Sequence, residues 1–277
     1  MPPGRRFNRP VPLAIPGLTE PLHLSVHGPE DVISRALAEH GVWEPFETSV
    51  FLGLLRPGDT VADVGANLGY YTVLAAQAVG PGGTVHAIEP DPANLALLRE
   101  NVALNRLGNV QVHPVAASDH AGEAQLHLDA VNRGDHRLYA SNGEVRAAVT
   151  VLTTALDGLL PEAVRLRLIK IDAQGSELAI FRGMQRLLAP PASVRRGLLA
   201  RRDPGLRIIT EIWPYGLREA GGSHGELLDL LRGFGFRLSL IDEAAQRLEA
   251  IGYAALAVRL ATPWYAEQRG FVNVLLE

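Results

Sequence analysis

The stretch that decides the fold is TVADVGANLGYYT, Thr60 to Thr72. Its first half is a short apolar run, Val61 to Val64, of the length expected for a buried strand. Gly65 to Gly69 make a tight turn, and the run through VLAAQAV that follows reads as a helix. Strand, glycine turn and helix in that order seat a nucleotide-sized ligand at the carboxyl end of a parallel strand. The small residues Gly65, Ala66 and Gly69 let the backbone approach that ligand, and the helix N-terminus offers unpaired N–H groups.

The detail of the turn separates two ligands. A dinucleotide turn reads G-x-G-x-x-G, and here Asn67 and Tyr70 stand where its second and third glycines belong. Asp63 also brings a carboxylate to the turn, which repels a pyrophosphate but suits an ammonium group. An adenosine with an amino-acid tail therefore fits better than NAD, and S-adenosylmethionine is such a ligand. A glycine turn that serves packing alone is the plainer alternative.

Outward from this turn, composition narrows the field. The 277 residues are 47% apolar and 20% charged, ordinary for a globular chain. A net charge of −4 argues against a nucleic-acid partner. The absence of cysteine excludes disulfides, thiolate metal sites and a cysteine nucleophile. No run is long enough for a signal peptide or a membrane span, so the expected location is the cytoplasm, with no membrane partner. A monomer or homodimer acting on a small-molecule acceptor is the expected form.

Around the opening motif, strands and helices alternate. Expected strands lie at 61–64, 84–90, 110–116, 165–172, 207–213, 236–242 and 271–277, with helices at 69–79, 92–105, 176–189 and 223–234. This rhythm predicts an α/β fold with a mostly parallel open sheet and right-handed crossovers. Residues 1–58 are expected to form an N-terminal arm and a helical lid, and 59–277 the ligand-binding domain. Residues 118–153 interrupt the rhythm: two strand-like runs, AQLHLDA and AAVTVL, flank the polar loop VNRGDHRLYASNGEVR, an exposed hairpin or a substrate-facing insertion.

Several residues are candidates for chemistry. Glu89, before Pro90, ends the second strand 20 residues past Gly69, where a carboxylate can accept both ribose hydroxyls; the alternative is a solvated loop acid. Ala117, Ser118 and Asp119 offer small and polar groups where an adenine ring would lie, or a simple turn. Lys170 and Asp172 share one face of an apolar strand and must be paired there. Asp172 and Glu211, near the ends of adjacent strands, make a base, a cation clamp or a metal site. His136 and Arg137 sit in a polar glycine loop; His136 has the ordinary pKa range of a general base, or is simply exposed. No histidine spacing indicates a metal, and none is expected.

Taken together, GDTVADVGANLGYYT, HAIEPDPANLALLRENVALN, VAASDHAGEA and LIKIDAQGSELAIFRGM resemble the FkbM family of S-adenosylmethionine-dependent methyltransferases over about residues 44 to 242. The resemblance implies a class I methyltransferase fold: a Rossmann-like three-layer sandwich with a seven-stranded sheet, one strand antiparallel. It implies methylation of hydroxyls on small molecules such as natural products or sugars. By position it implies that Asp63, Gly65, Ala66, Asn67, Gly69, Tyr70 and Thr72 surround the methionine end of the cofactor. Glu89 and Pro90 are implied at the ribose, Ala117 to Asp119 near adenine, and Asp172 with Gln174 by the transferred methyl. Arg137, Trp213 and Glu47 are the residues expected to face the acceptor. The family has Glu where this chain has Gln174, which leaves a branch of altered chemistry open.

The expected reaction is in-line methyl transfer to a hydroxyl, with His136 or Asp172 as base and Glu211 in support. Methylation of nitrogen on an amino-sugar or peptide is one alternative. An NAD-dependent oxidoreductase is another, opposed by Asn67 and Tyr70, and a non-catalytic nucleotide-binding protein of the same fold is a third.

Overall fold

A computed structural model describes residues 7, 9–140, 146–189, 205–267 and 270–277. In chain order its first half runs β1 (Val11–Pro12), β2 (His23–Leu24), α1 (Val32–His40), α2 (Pro45–Leu54), β3 (Thr60–Val64), α3 (Tyr70–Val79), β4 (Thr84–Ile88), α4 (Pro92–Leu104) and β5 (Val110–His113). The insertion follows as β6 (Ala116–Ser118), β7 (Gly122–Leu128) and β8 (Ala147–Ala155). The second half runs α5 (Leu156–Leu159), β9 (Leu168–Ile171), α6 (Glu177–Arg182), α7 (Gln185–Leu188), β10 (Arg207–Ile212), α8 (Pro214–Glu219) and α9 (His224–Phe234). It ends with β11 (Leu238–Asp242), β12 (Arg247–Ile251), α10 (Tyr253–Leu260), α11 (Pro263–Ala266) and β13 (Val272–Leu276).

The main sheet has the order β12-β11-β13-β10-β9-β3-β4-β5. Strands β5, β4, β3, β9 and β10 are parallel neighbours, whereas β13 runs antiparallel between β10 and β11. All seven expected strands are therefore present. The eighth, β12, pairs antiparallel with the outer edge of β11. Its residues before Ile251 alternate as Arg247, Leu248, Glu249 and Ala250, but all four are exposed, so on this edge strand the alternation marks no buried face. From β3 the chain first builds outward through β4 and β5, then returns to the other side with β9. The order reverses between β3 and β9, the place where open α/β sheets bind ligands.

Period-two alternation gives the central strands two apolar faces. Ala62, Val64, Ile169, Ile171, Ile208 and Ile212 pack with α6, α9 and α10. Val61, Val85, Leu168 and Ile209 pack on the opposite face with α3 and with Phe51 and Leu55 from α2 and its end. That second core also takes in Val11, Leu13, Leu22 and Leu24, and β1 pairs with β2. The expected N-terminal arm is therefore packed from Val11 onward; residues 1–6 and 8 lie outside those described. The expected helix 176–189 is two pieces, α6 and α7. Gly183 separates them, lying so close to the Ser118 carbonyl that an added Cβ would stand 2.0 Å away.

The interruption forms its own three-stranded sheet, β6-β8-β7. Pro114 ends β5, and the chain leaves the main sheet before β6 pairs with β8. The β7–β8 hairpin carries the polar loop, of which residues 141–145 lie outside the description.

Candidate active site

Two chambers open at the carboxyl ends of β3 and β9. The larger, about 320 Å³, is walled by Trp43, Tyr70, Trp213 and Phe271, with Glu44, Asp63, Lys170 and Glu211 among its polar groups. The smaller, about 70 Å³, is lined by Glu89, Pro90, Asn94, Ala117, Leu126, His136 and Leu138. Gly65, Asn67, Gly134, Asp172 and Gln174 border both. The two chambers thus join at the strand switch point.

The turn after β3 builds the junction. The Gly65 and Ala66 N–H groups both donate to the Ile88 carbonyl, 3.0 Å each, which ties the turn to the end of β4. Asn67 follows with a left-handed φ of 51°, and its N–H donates to Glu89 Oε2 at 2.7 Å. The other Glu89 oxygen accepts from Asp91 N–H at 2.8 Å. Burial pushes this carboxyl up to about 8 despite those two bonds. Asp63 is buried, accepts from the Thr72 hydroxyl at 2.5 Å, and is pushed up to about 6, chiefly by burial.

Gly69 and Thr72, expected at the cofactor, line neither chamber. Gly69 is held at φ 95°, and a Cβ there would stand 2.6 Å from Leu98 Cδ1, so its smallness serves helix packing. Thr72 is buried and orients Asp63. Ser118 and Asp119 line neither chamber: Ala117 is the last residue of this run to reach one, the Ser118 carbonyl packs against Gly183, and Asp119 bonds His120 at 2.6 Å near the surface.

The β9 register places Lys170 beside Asp63. Lys170 Nζ lies 3.0 Å from Glu47 Oε1 but 3.8 Å from Asp172 Oδ2, and it sits 4.9 Å from the Tyr71 ring centroid. Burial alone would lower the ammonium's pKa, but Glu47, Asp172 and Glu44 together hold it above its ordinary value. Glu47 is fully buried, accepts from the Tyr71 hydroxyl at 3.1 Å, and lines neither chamber. It is the counter-charge of Lys170 and not an acceptor contact. The acid at the chamber wall from this segment is Glu44, held at φ 44° just before Pro45. Burial pushes it up to about 8, with Glu47 adding to the effect. Only its place before a helix-opening proline marked Glu44 in the sequence.

Asp172 follows β9, its N–H donating to the Val64 carbonyl at 3.0 Å. Gln174, at φ 49°, donates from Nε2 to Asp172 Oδ1 at 2.7 Å, and its carbonyl accepts from the Tyr139 hydroxyl at 2.9 Å. Glu211 reaches the larger chamber from β10; burial first, then the charges of Asp172, Glu177 and Glu44, push its carboxyl well up. Burial therefore favours the protonated form of Glu211, which suits hydrogen bonding better than taking a proton. Among the described residues no cluster of three or more His, Cys, Asp or Glu is arranged to hold a metal ion.

The insertion loop supplies the remaining wall. Arg137 is buried, forks onto Asp135 (Nε–Oδ1 2.8 Å, Nη2–Oδ2 2.6 Å) and lies 4.9 Å from the Trp213 ring centroid, facing the larger chamber. His136 faces the smaller one. The expected base is thus on the Glu89 side, away from Glu211 and Trp213, and it is buried, not exposed. A backbone bridge between His127 and Arg137 fixes this stretch of the loop.

A parallel sheet that reverses order at β3, an antiparallel strand inserted beside the last parallel one, and a glycine turn facing an acid at the end of β4 define a class I methyltransferase fold. The model of the methyltransferase FkbM domain matches residues 63–238, and the chain belongs to that family. It is 31% identical over 212 residues to 31-O-demethyl-FK506 methyltransferase FkbM of Streptomyces tacrolimicus, covering 66% of this chain and 74% of that one. It is also similar to Methyltransferase 1 of Beauveria bassiana, with 26% identity over 46% of this chain and 59% of that one. Among solved structures, methyltransferase FkbM from Methylobacillus flagellatus KT aligns with 83% of this chain and 50% of its own, at 16% identity and a TM-score of 0.44. As a member of this family the chain is a methyltransferase whose cofactor is S-adenosylmethionine. The donor set suits that group: buried carboxylates for an ammonium and a sugar, and an apolar slot with an unpartnered buried ring nitrogen on His136. Among the described residues no helix is long and apolar enough to cross a membrane.

Proposed function

We propose that the chain methylates a hydroxyl oxygen of a small molecule held in the larger chamber. The observation that carries this reading is that Asp172 and Gln174 border both chambers. In this reading Glu89, Ala117 and the apolar residues around them hold the adenosine half of the cofactor, and Asp63 with the turn after β3 holds its amino-acid half. Bound there, the cofactor supplies an activated methyl group on a sulfonium sulfur. Asp172 then stands at the junction, on the acceptor's side.

Asp172 takes the proton that the acceptor hydroxyl loses. Gln174 fixes one of its oxygens, leaving Oδ2 turned to Lys170 and the chamber. Glu211 and Glu44, both raised by burial, hydrogen-bond the acceptor's other polar groups. Trp43, Trp213 and Phe271 cover its apolar faces and exclude water. The similarity to a methyltransferase named for an O-demethylated substrate supports oxygen over nitrogen as the acceptor atom.

The test is transfer from methyl-labelled S-adenosylmethionine to a panel of hydroxylated and amine acceptors, with products identified by mass spectrometry. O-methylated product is expected, and Asp172→Asn lowers its rate by roughly 10²-fold or more. Product methylated only on nitrogen, or full activity in Asp172→Asn, overturns the reading.

A further inference from the structure

The ring of His136 has one nitrogen satisfied and one open. The Asp129 backbone N–H donates to Nδ1 at 3.0 Å. A ring nitrogen that accepts a hydrogen bond carries no proton, so the neutral imidazole bears its proton on Nε2. That Nε2 is buried and has no hydrogen-bond partner among the described residues. The nearby acid, Asp91, leaves Oδ2 3.9 Å away, beyond hydrogen-bond reach. The same oxygen already accepts from the N–H groups of Ala93 and Asn94 at the start of α4. Burial lowers the pKa of the ring, with Asp91 and Asp129 opposing and Arg133 and Arg146 adding to the effect. His136 is thus a neutral donor pointed from a fixed loop, with no proton-accepting nitrogen free.

The surroundings say what meets it. The smaller chamber is a slot with Ile88, Ala117, Leu126, Leu138 and Ile180 as its apolar residues and Glu89 and Asp172 as its acids. A flat heteroaromatic ring with an attached sugar has the shape and the acceptor atoms for such a slot. A buried donor left unmade is destabilising, so a ligand that accepts from it binds more tightly.

We infer that His136 is a cofactor-binding residue, donating from Nε2–H to the adenosine half of S-adenosylmethionine, with the Asp129 N–H as the contact that selects the tautomer. This replaces its expected role as a base and rests on the seating of the cofactor proposed above. The insertion hairpin then closes the cofactor's site as well as the acceptor's, through two consecutive residues facing opposite chambers.

The test uses calorimetric binding of S-adenosylhomocysteine and of methylthioadenosine, which lacks the amino-acid half. His136→Asn keeps a group for the Asp129 N–H but cannot reach the ligand, and should weaken both ligands by about tenfold. His136→Gln places an amide N–H near the position of Nε2 and should stay within about threefold of the parent. Unchanged binding in His136→Asn, or loss for S-adenosylhomocysteine with methylthioadenosine spared, overturns the inference while leaving the seating intact. Parent protein that binds neither ligand overturns the seating itself. Nitrogen NMR of the parent protein tests the point without substitution: the His136 ring should show the Nε2–H tautomer and its Nε2 resonance should move when S-adenosylhomocysteine is added. An unmoved resonance, or the other tautomer, overturns it.

Discussion

The carbonyl oxygen of Asp172 occupies the space a side chain on Gly65 would need: an ideal Cβ on Gly65 would stand 1.9 Å from it. Gly65 is also held at φ 79°, which disfavours any L side chain. The switch point of the sheet is therefore closed by backbone against backbone. Gly65→Ala should cost roughly 2–4 kcal/mol and push Asp172 out of register with β3. Urea unfolding and binding of S-adenosylhomocysteine should both report it, and unchanged values in both would refute this account of the junction.

The Glu47–Lys170 pair joins α2 to β9 in a region where both side chains are almost fully buried. Breaking such a pair leaves an uncompensated charge, so Glu47→Gln should lose about 3 kcal/mol of stability. Replacing both, as Glu47→Leu with Lys170→Met, should recover most of it, because a buried ion pair and a well-packed apolar pair are often nearly equal. A double-mutant cycle in urea checks this; equal losses in the single and double variants would contradict it.

The contribution of three buried carboxyls to the stability of the ligand-free chain should fall as pH rises from about 5 to about 8. Below about 6.5 it is opposed by His27, His86, His113, His136 and His224, whose pKa burial lowers. Burial holds Glu89 up at about 8, Glu177 at about 7 and Asp63 at about 6. In that window the unfolded chain has released these protons and the folded chain still binds them. The folded state is therefore favoured below the ordinary carboxylate range and loses that advantage as pH climbs through the folded values. Glu89→Gln should flatten the upper part of the dependence. Urea midpoints at several pH values measure it, and a midpoint that rises between about pH 7 and about pH 8 would reverse the assignment.

Arg137 combines a forked bond to Asp135 with a stack on Trp213. A lysine can supply the charge but neither the fork nor the planar stack. Arg137→Lys should therefore cost about 2 kcal/mol, and the fluorescence of Trp213 should change. Thermal unfolding and tryptophan emission test this; a fully stable variant would show that the fork contributes little.

The parts of the fold written locally were legible. Val61 to Val64, the turn from Gly65 and the helix beyond it depend on residue types within a few positions. The central strands announce themselves by apolar runs of the right length. Asp63, Glu89 and Asp172 could be assigned to strand ends for the same reason, and the alternation of a strand put Lys170 and Asp172 on one face.

Tertiary structure alone decided the rest. Glu47 faces Lys170 because α2 folds back over β9, a meeting of residues more than a hundred positions apart that no local pattern encodes. In an irregular loop there is no period from which to read direction, so tertiary contacts set which chamber His136 and Arg137 face, among them the His127–Arg137 bridge, the Asp129 N–H on His136 and the Arg137 fork on Asp135. Ser118 and Asp119 line neither chamber although Ala117 does, because the Ser118 carbonyl packs against Gly183 and Asp119 turns to the surface. Secondary structure follows from short-range sterics and apolar periodicity, whereas the partner of a buried charge depends on which distant segments pack together.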